Sequence, residues 1–131
     1  MNILKGNIVS IKQSDSLMLV FMDVKGQLLN SMLLENGDEN RLEVGMDVHL
    51  IFKETEVTLA TTDSIVSERN SFISKITHIE NGKLLANITL DFLGYDINAL
   101  ITKGALHGLK CKIGDEFRWV VKASEITLQI L

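Results

Sequence analysis

With 131 residues, no proline and a single cysteine, the chain has room for one ordinary domain or two very small ones, and no internal disulfide can staple it. Its 17 acidic side chains outnumber 13 basic ones, for a net charge of −4, and aromatics make up only 5%, which argues against the basic face of a nucleic-acid module and the stacking platform of a single-strand binder. No apolar run is long enough to cross a membrane and no basic-then-apolar leader opens the chain, so the expectation is a cytoplasmic protein with a reduced thiol.

The predicted elements are nearly all strands. The first five run Ile3 to Ile11, Leu17 to Val24, Leu28 to Leu34, Val48 to Lys53 and Val57 to Thr61. After a polar connector from Thr61 to Arg69, five more run Phe72 to Ile79, Leu84 to Asp91, Asp96 to Thr102, Phe117 to Lys122 and Ile126 to Ile130. Alternation is plain in Ala86, Ile88 and Leu90 against Asn87, Thr89 and Asp91. Turns fall at Lys25-Gly26, Asn36-Gly37-Asp38, Asn81-Gly82, Gly94 and Gly114-Asp115. Lys103 to Leu109 is the one helical candidate, and Gly104 and Gly108 limit it to a single turn. Five short strands and one helical excursion, taken twice, predict an all-β protein of small OB-type barrels.

The chain says nearly the same thing twice. The block from Val44-Gly45 through Lys53-Glu54-Thr55-Glu56 to Thr58-Leu59 returns, in register, from Ile113-Gly114 through Lys122-Ala123-Ser124-Glu125 to Thr127-Leu128. The first halves align at an offset of 68, Asn2 on Asn70 and Gly26 on Gly94; the later halves align at 69. Two copies of one small unit follow, at 1–62 and 67–131. Units this small bury little surface alone, so packing between them and against other chains is expected.

Within that repeat the second copy becomes specific. Ser67-Glu68-Arg69-Asn70 opens it and Lys122-Ala123-Ser124 closes it. These residues resemble the molybdate-binding Mop domain of the wider TOBE group, with its Ser-x-Arg-Asn opening and Lys-Ala-Ser closing motif. Two in tandem are similar to the di-Mop molbindins and to the sensor half of molybdate-responsive regulators. The resemblance covers essentially the whole chain. It implies two tandem five-stranded OB-like barrels and a small oxyanion ligand, molybdate with tungstate as its isostere. It also implies a dimeric or trimeric homo-oligomer with sites between domains or subunits. Binding, storage or sensing is implied, with no enzymatic step.

Carried over from the resemblance, the oxyanion-binding residues are Ser67, Arg69, Lys122, Ala123 and Ser124. Their chemistry suits a tetrahedral dianion. Arg69 and Lys122 bring charge, the serines bring hydroxyls, and a small residue at Ala123 lets an oxyanion approach the backbone N–H groups. The first copy departs from the pattern. It has no room for Ser-x-Arg before Asn2, and its closing turn reads Lys53-Glu54-Thr55, with an acid where the second copy has Ala123. Lys53 and Thr55 are candidates there, alone or in a mixed site with Arg69. Ala105 stands where the family has a serine after the third strand.

Other residues read as structural. His49, His78 and His107 lack ligand spacing, and no nucleophile–base arrangement is present. Cys111 is expected to be core-facing or half-buried, Trp119 to pack between domains, and Met18, Met22, Met32 and Met46 to fill irregular gaps. Glu56 and Glu125 are expected to be solvated. An alternative function is a regulatory or oligomerisation module of a transporter or transcription regulator with a decayed anion site, separable from a binder by ligand-dependent stability.

Overall fold

Alternation sets the faces. Along one strand Met18, Val20, Met22 and Val24 are buried, and along its counterpart Ala86, Ile88, Leu90 and Phe92 are, with intervening residues turned outward. The computed structural model describes residues 1–34 and 41–131, so the Asn36-Gly37-Asp38 turn lies outside the described residues. The strands are β1 (Asn2–Ser14), β2 (Leu17–Val24), β3 (Gln27–Leu34), β4 (Asp47–Phe52), β5 (Thr58–Ala60), β6 (Ser71–Asn81), β7 (Leu85–Phe92), β8 (Tyr95–Thr102), β9 (Glu116–Val120) and β10 (Thr127–Ile130). Among the described residues the class is as expected: all-β, in two OB-like five-stranded units, with one α-helix.

That helix, α1 (Lys103–Leu109), is longer than its glycines suggested. Both of its ends are capped. Thr102 Oγ1 accepts the Ala105 N–H at 3.1 Å, and Lys110 turns left-handed (φ 54°) so that its N–H reaches the His107 and Leu106 carbonyls. Caps of this kind offset the propensity cost of Gly104 and Gly108.

Among the described residues all pairings are antiparallel, in two sheets ordered β10-β4-β1-β2-β3 and β5-β9-β6-β7-β8. Each sheet takes its fifth strand from the other half of the chain. Thr127 to Ile130 pair with Ile51 to Val48, while Thr58 to Ala60 pair with Val120 to Arg118. The repeat is visible down to its irregularities. β1 is bulged between Ile8 and Ser10, and β6 between Ile76 and His78, each at the same place. Each bulge is held by its glycine turn: Gly45 donates to Ile8 O and Gly114 to Ile76 O, both at 2.8 Å. Both glycines have φ beyond +90°, which a side chain would resist.

The halves are locked by a symmetric pair of asparagine staples. Buried Asn2 donates from Nδ2 to Asn98 O and accepts the Asn98 N–H. Buried Asn70 does the same with Asn30, at 2.9 and 2.8 Å. Each staple satisfies one residue's backbone groups across the sheet boundary.

Trp119 is fully buried, and it packs between the halves as expected. It stacks on Phe52 of the first sheet at 6.0 Å and meets Phe72 and Phe92 of its own at 5.4 and 5.1 Å. Its Nε1 donates to Ser74 Oγ at 3.0 Å. At the matching positions the first half has Leu50 and Gly6, and a Cβ on Gly6 would sit 3.0 Å from Leu50 Cδ1. Met18 and Met22 are buried and Met46 is packed against the core, but Met32 is exposed. Cys111 is half-buried as expected, and desolvation, with Asp115 second, raises its thiol above the ordinary range.

Candidate functional site

The two closing motifs fold into matching 3-10 turns, Glu54–Glu56 and Ala123–Glu125. Each follows an extended lysine, Lys53 or Lys122, whose carbonyl accepts the N–H three residues on, at 3.0 Å from Glu56 and 2.9 Å from Glu125. Neither lysine side chain caps its turn, and Thr55 and Ser124 are exposed within the turns. The opening motif is tied to the second turn through Asn70. Its carbonyl accepts the Val121 N–H at 3.0 Å, one residue before Lys122, while its side chain holds Asn30.

The candidate residues are distributed over three clefts. Lys122 and Thr55 line one of about 320 Å³, together with Glu56, Glu68 and Glu125. The two turns, and with them one candidate from each copy, therefore share a cavity. Arg69 lines a second cleft, of about 210 Å³, with Gln27 and Asn30 of β3. Ser124 lines a third, with Met32, Leu34 and Leu128, between β3 and β10. Ala123 is buried, and Ser67 and Lys53 are exposed. Within one chain, then, Lys122 and Thr55 come together, while Arg69 and Ser124 face elsewhere.

The electrostatics of the shared cleft are unbalanced. One cation, Lys122, meets three carboxylates, Glu56, Glu68 and Glu125. A dianion there needs further positive charge or the removal of a carboxylate. Glu68 goes further than lining the wall: its Oε2 accepts the N–H of Ala123 at 3.4 Å. This is the amide expected to meet an oxyanion. The sequence reading missed Glu68, because a lone acid at the variable place of Ser-x-Arg-Asn carries no signal of its own.

The first turn has a different occupant. Glu54 stands in register with Ala123, and its carboxylate is ion-paired to the α-ammonium of Met1, which stands in register with Arg69. Its hydrogen bond to that ammonium holds the Glu54 carboxyl below the ordinary glutamate range, against a smaller opposing effect of burial. Near Arg69, the side chain of Asn30 is buried, and its Oδ1 is without a hydrogen-bond partner. In Asn98, the matching residue, the same atom accepts from Asn87 Nδ2 at 3.0 Å and Thr89 Oγ1 at 2.9 Å. Among the described residues no group of histidine, cysteine and carboxylate side chains is arranged to hold a metal ion.

Paired five-stranded OB-like units, joined by exchanged last strands and carrying a Lys-x-hydroxyl turn at each exchange, define the architecture. It is that of a solved oxyanion binder. The chain is similar to ModG, a cytoplasmic molybdate-binding protein whose crystal structure contains molybdate and for which a cooperative binding mechanism has been suggested. The TM-score is 0.92 at 27% sequence identity, over 99% of this chain and 96% of ModG. No protein-family model and no curated protein matches the chain by sequence.

Proposed function

We propose that this chain binds molybdate inside the cell, with tungstate as an isosteric competitor, for storage, homeostasis or sensing. The observation that carries this reading is the full-length similarity to a molybdate-bound ModG, which extends to both halves of the chain. The duplicated turns support it, since each sets a lysine and a hydroxyl residue beside tightly turned backbone. Ser67, Arg69, Lys122, Ala123 and Ser124 are the proposed oxyanion ligands, and Lys53 and Thr55 contribute from the first turn. Recognition uses charge and hydrogen bonds and changes no bond in the anion.

The two repeats, 1–62 and 67–131, are read as duplicated units that act as one body. A homo-oligomer, dimer or trimer, completes the sites in this reading. Two observations support it: Arg69, Lys122 and Ser124 line separate clefts, and large apolar side chains stay in water, Ile65 at 99% exposure and Leu84 at 81%. Isothermal titration with molybdate, with sulfate as control and Lys122→Ala beside the parent chain, tests it. The expected outcome is saturable molybdate binding, not reproduced by sulfate and weakened about tenfold or more in the variant, as for loss of a charged hydrogen-bond donor. A chain that titrates neither anion is not a molybdate binder.

A second reading, an assembly or regulatory module whose anion site has decayed, is favoured by the three glutamates around Lys122. A stable oligomer whose melting temperature molybdate leaves unmoved would establish it.

A further inference from the structure

We infer that Glu68 is a built-in competitor of the oxyanion: a carboxylate carried on the opening segment of the second repeat that occupies the Ala123 amide and must leave for the ligand to enter. The inference rests on the oxyanion reading above and concerns how that site is regulated.

The observations are local and agree with one another. Glu68 lies between Ser67 and Arg69, two of the five residues the resemblance marks as ligands, yet Arg69 lines a different cleft and Ser67 is exposed. Glu68 shares its cleft with Lys122 and accepts the Ala123 N–H at 3.4 Å. It thus takes one proposed donor directly and places its negative charge in the same cavity as another. At 3.4 Å the hydrogen bond is long, hence weak and readily exchanged.

An incoming dianion cannot share that N–H in line with the carboxylate, and it is repelled by it at close range. Glu68 is half-buried rather than enclosed, so its side chain has open space to swing into. Its neighbour Asn70 is fixed by the Asn30 staple and by Val121. Movement is therefore confined to the segment before Asn70. That segment carries Ser67 and Arg69, so a swing that withdraws Glu68 moves two further proposed ligands with it.

The competition sets affinity. Replacing Glu68 by glutamine keeps shape and removes charge. Molybdate is titrated calorimetrically into the full chain and into Glu68→Gln and Glu68→Ala, with the Ala123 amide followed by ¹⁵N-resolved NMR in the absence of the anion. Both variants are expected to bind molybdate on the order of tenfold more tightly, the effect of removing one like charge beside a dianion in a wet cleft. The Ala123 amide proton is expected to shift and to exchange faster in the alanine variant. A parent chain that fails to titrate while Glu68→Gln binds saturably would show the same competition in a stronger form. Equal or weaker molybdate affinity in both variants overturns the competition and leaves the molybdate reading standing. No binding by any of the three proteins overturns both.

Discussion

The two 3-10 turns share one backbone and differ in what they do with it. Lys53 and Lys122 enter at φ/ψ of −77°/150° and −65°/141°, and Val57 and Ile126 leave at −94°/122° and −92°/117°. Even the longer hydrogen bonds match, at 3.4 Å from Val57 to Glu54 and from Ile126 to Ala123. At the first residue of each turn the two part: one has a glutamate paired to an ammonium and the other an alanine whose N–H is taken by a carboxylate distant in sequence. The lesson is that the frame depends on features the repeats hold in common, the glycine turns, bulges and asparagine staples. The chemistry depends on single residues that do not disturb the frame.

Substitutions that exchange those single residues sharpen the comparison most. Ala123→Glu writes the first turn's chemistry into the second, placing a fixed carboxylate at the proposed anion position. Molybdate affinity is expected to fall by about a hundredfold or more, a like charge at contact distance from a dianion. The melting temperature, measured beside it, separates this from unfolding. A titration unchanged from the parent would mean the two turns differ in sequence but not in role.

The shared frame is tested next. Asn70→Ala and Asn2→Ala each leave one backbone donor and one acceptor without their side-chain partner, buried at Asn30 and part-buried at Asn98. Each is expected to cost about 2–4 kcal/mol of unfolding free energy in urea melts. Similar losses are expected because the two staples have the same geometry. A small loss at one and a large loss at the other would break the symmetry that the backbone displays.

The smallest effect concerns the ion pair at the first turn. The Glu54 carboxyl is held below its ordinary range, so the folded chain takes up that proton less readily than the unfolded one. Its contribution is fully present above the ordinary glutamate range and is lost as pH falls through the lower folded value. The stability advantage of the parent over Glu54→Gln is expected to be small at neutral pH, since the pair is partly exposed, and to vanish in acid. Thermal melts of both proteins from neutrality downward check the sign. An advantage that grows on acidification would reverse it.

Much of this frame is legible in the sequence. Period-two alternation marks the strands, and the recurring Gly45 and Gly114 blocks mark the duplication, because both are local patterns. The staples had a signal too: Asn30 and Asn98 stand apart by the same 68 residues as Asn2 and Asn70. The strand exchange had none. β5 and β10 have only three and four residues, too few for side-chain pattern to choose between two similar sheet edges. The site was legible as a set of residue types but not as a place. Cleft membership depends on which way the segment before Asn70 turns, and Glu68 shows that it turns an acid toward Lys122.

The exchanged strands have a consequence for how the chain is held together. Because β5 lies in the second sheet and β10 in the first, neither half is a separable part. Each would lose an edge strand if removed. The covalent link from Ala60 to Ser71 is therefore a tether between pieces that already clasp one another. Cutting it would leave an intertwined pair, and two untethered copies of one such repeat, trading last strands, would build the same object. The chain is in effect a dimer closed into a single polypeptide, free to let its two matching turns diverge because each is written separately in one sequence.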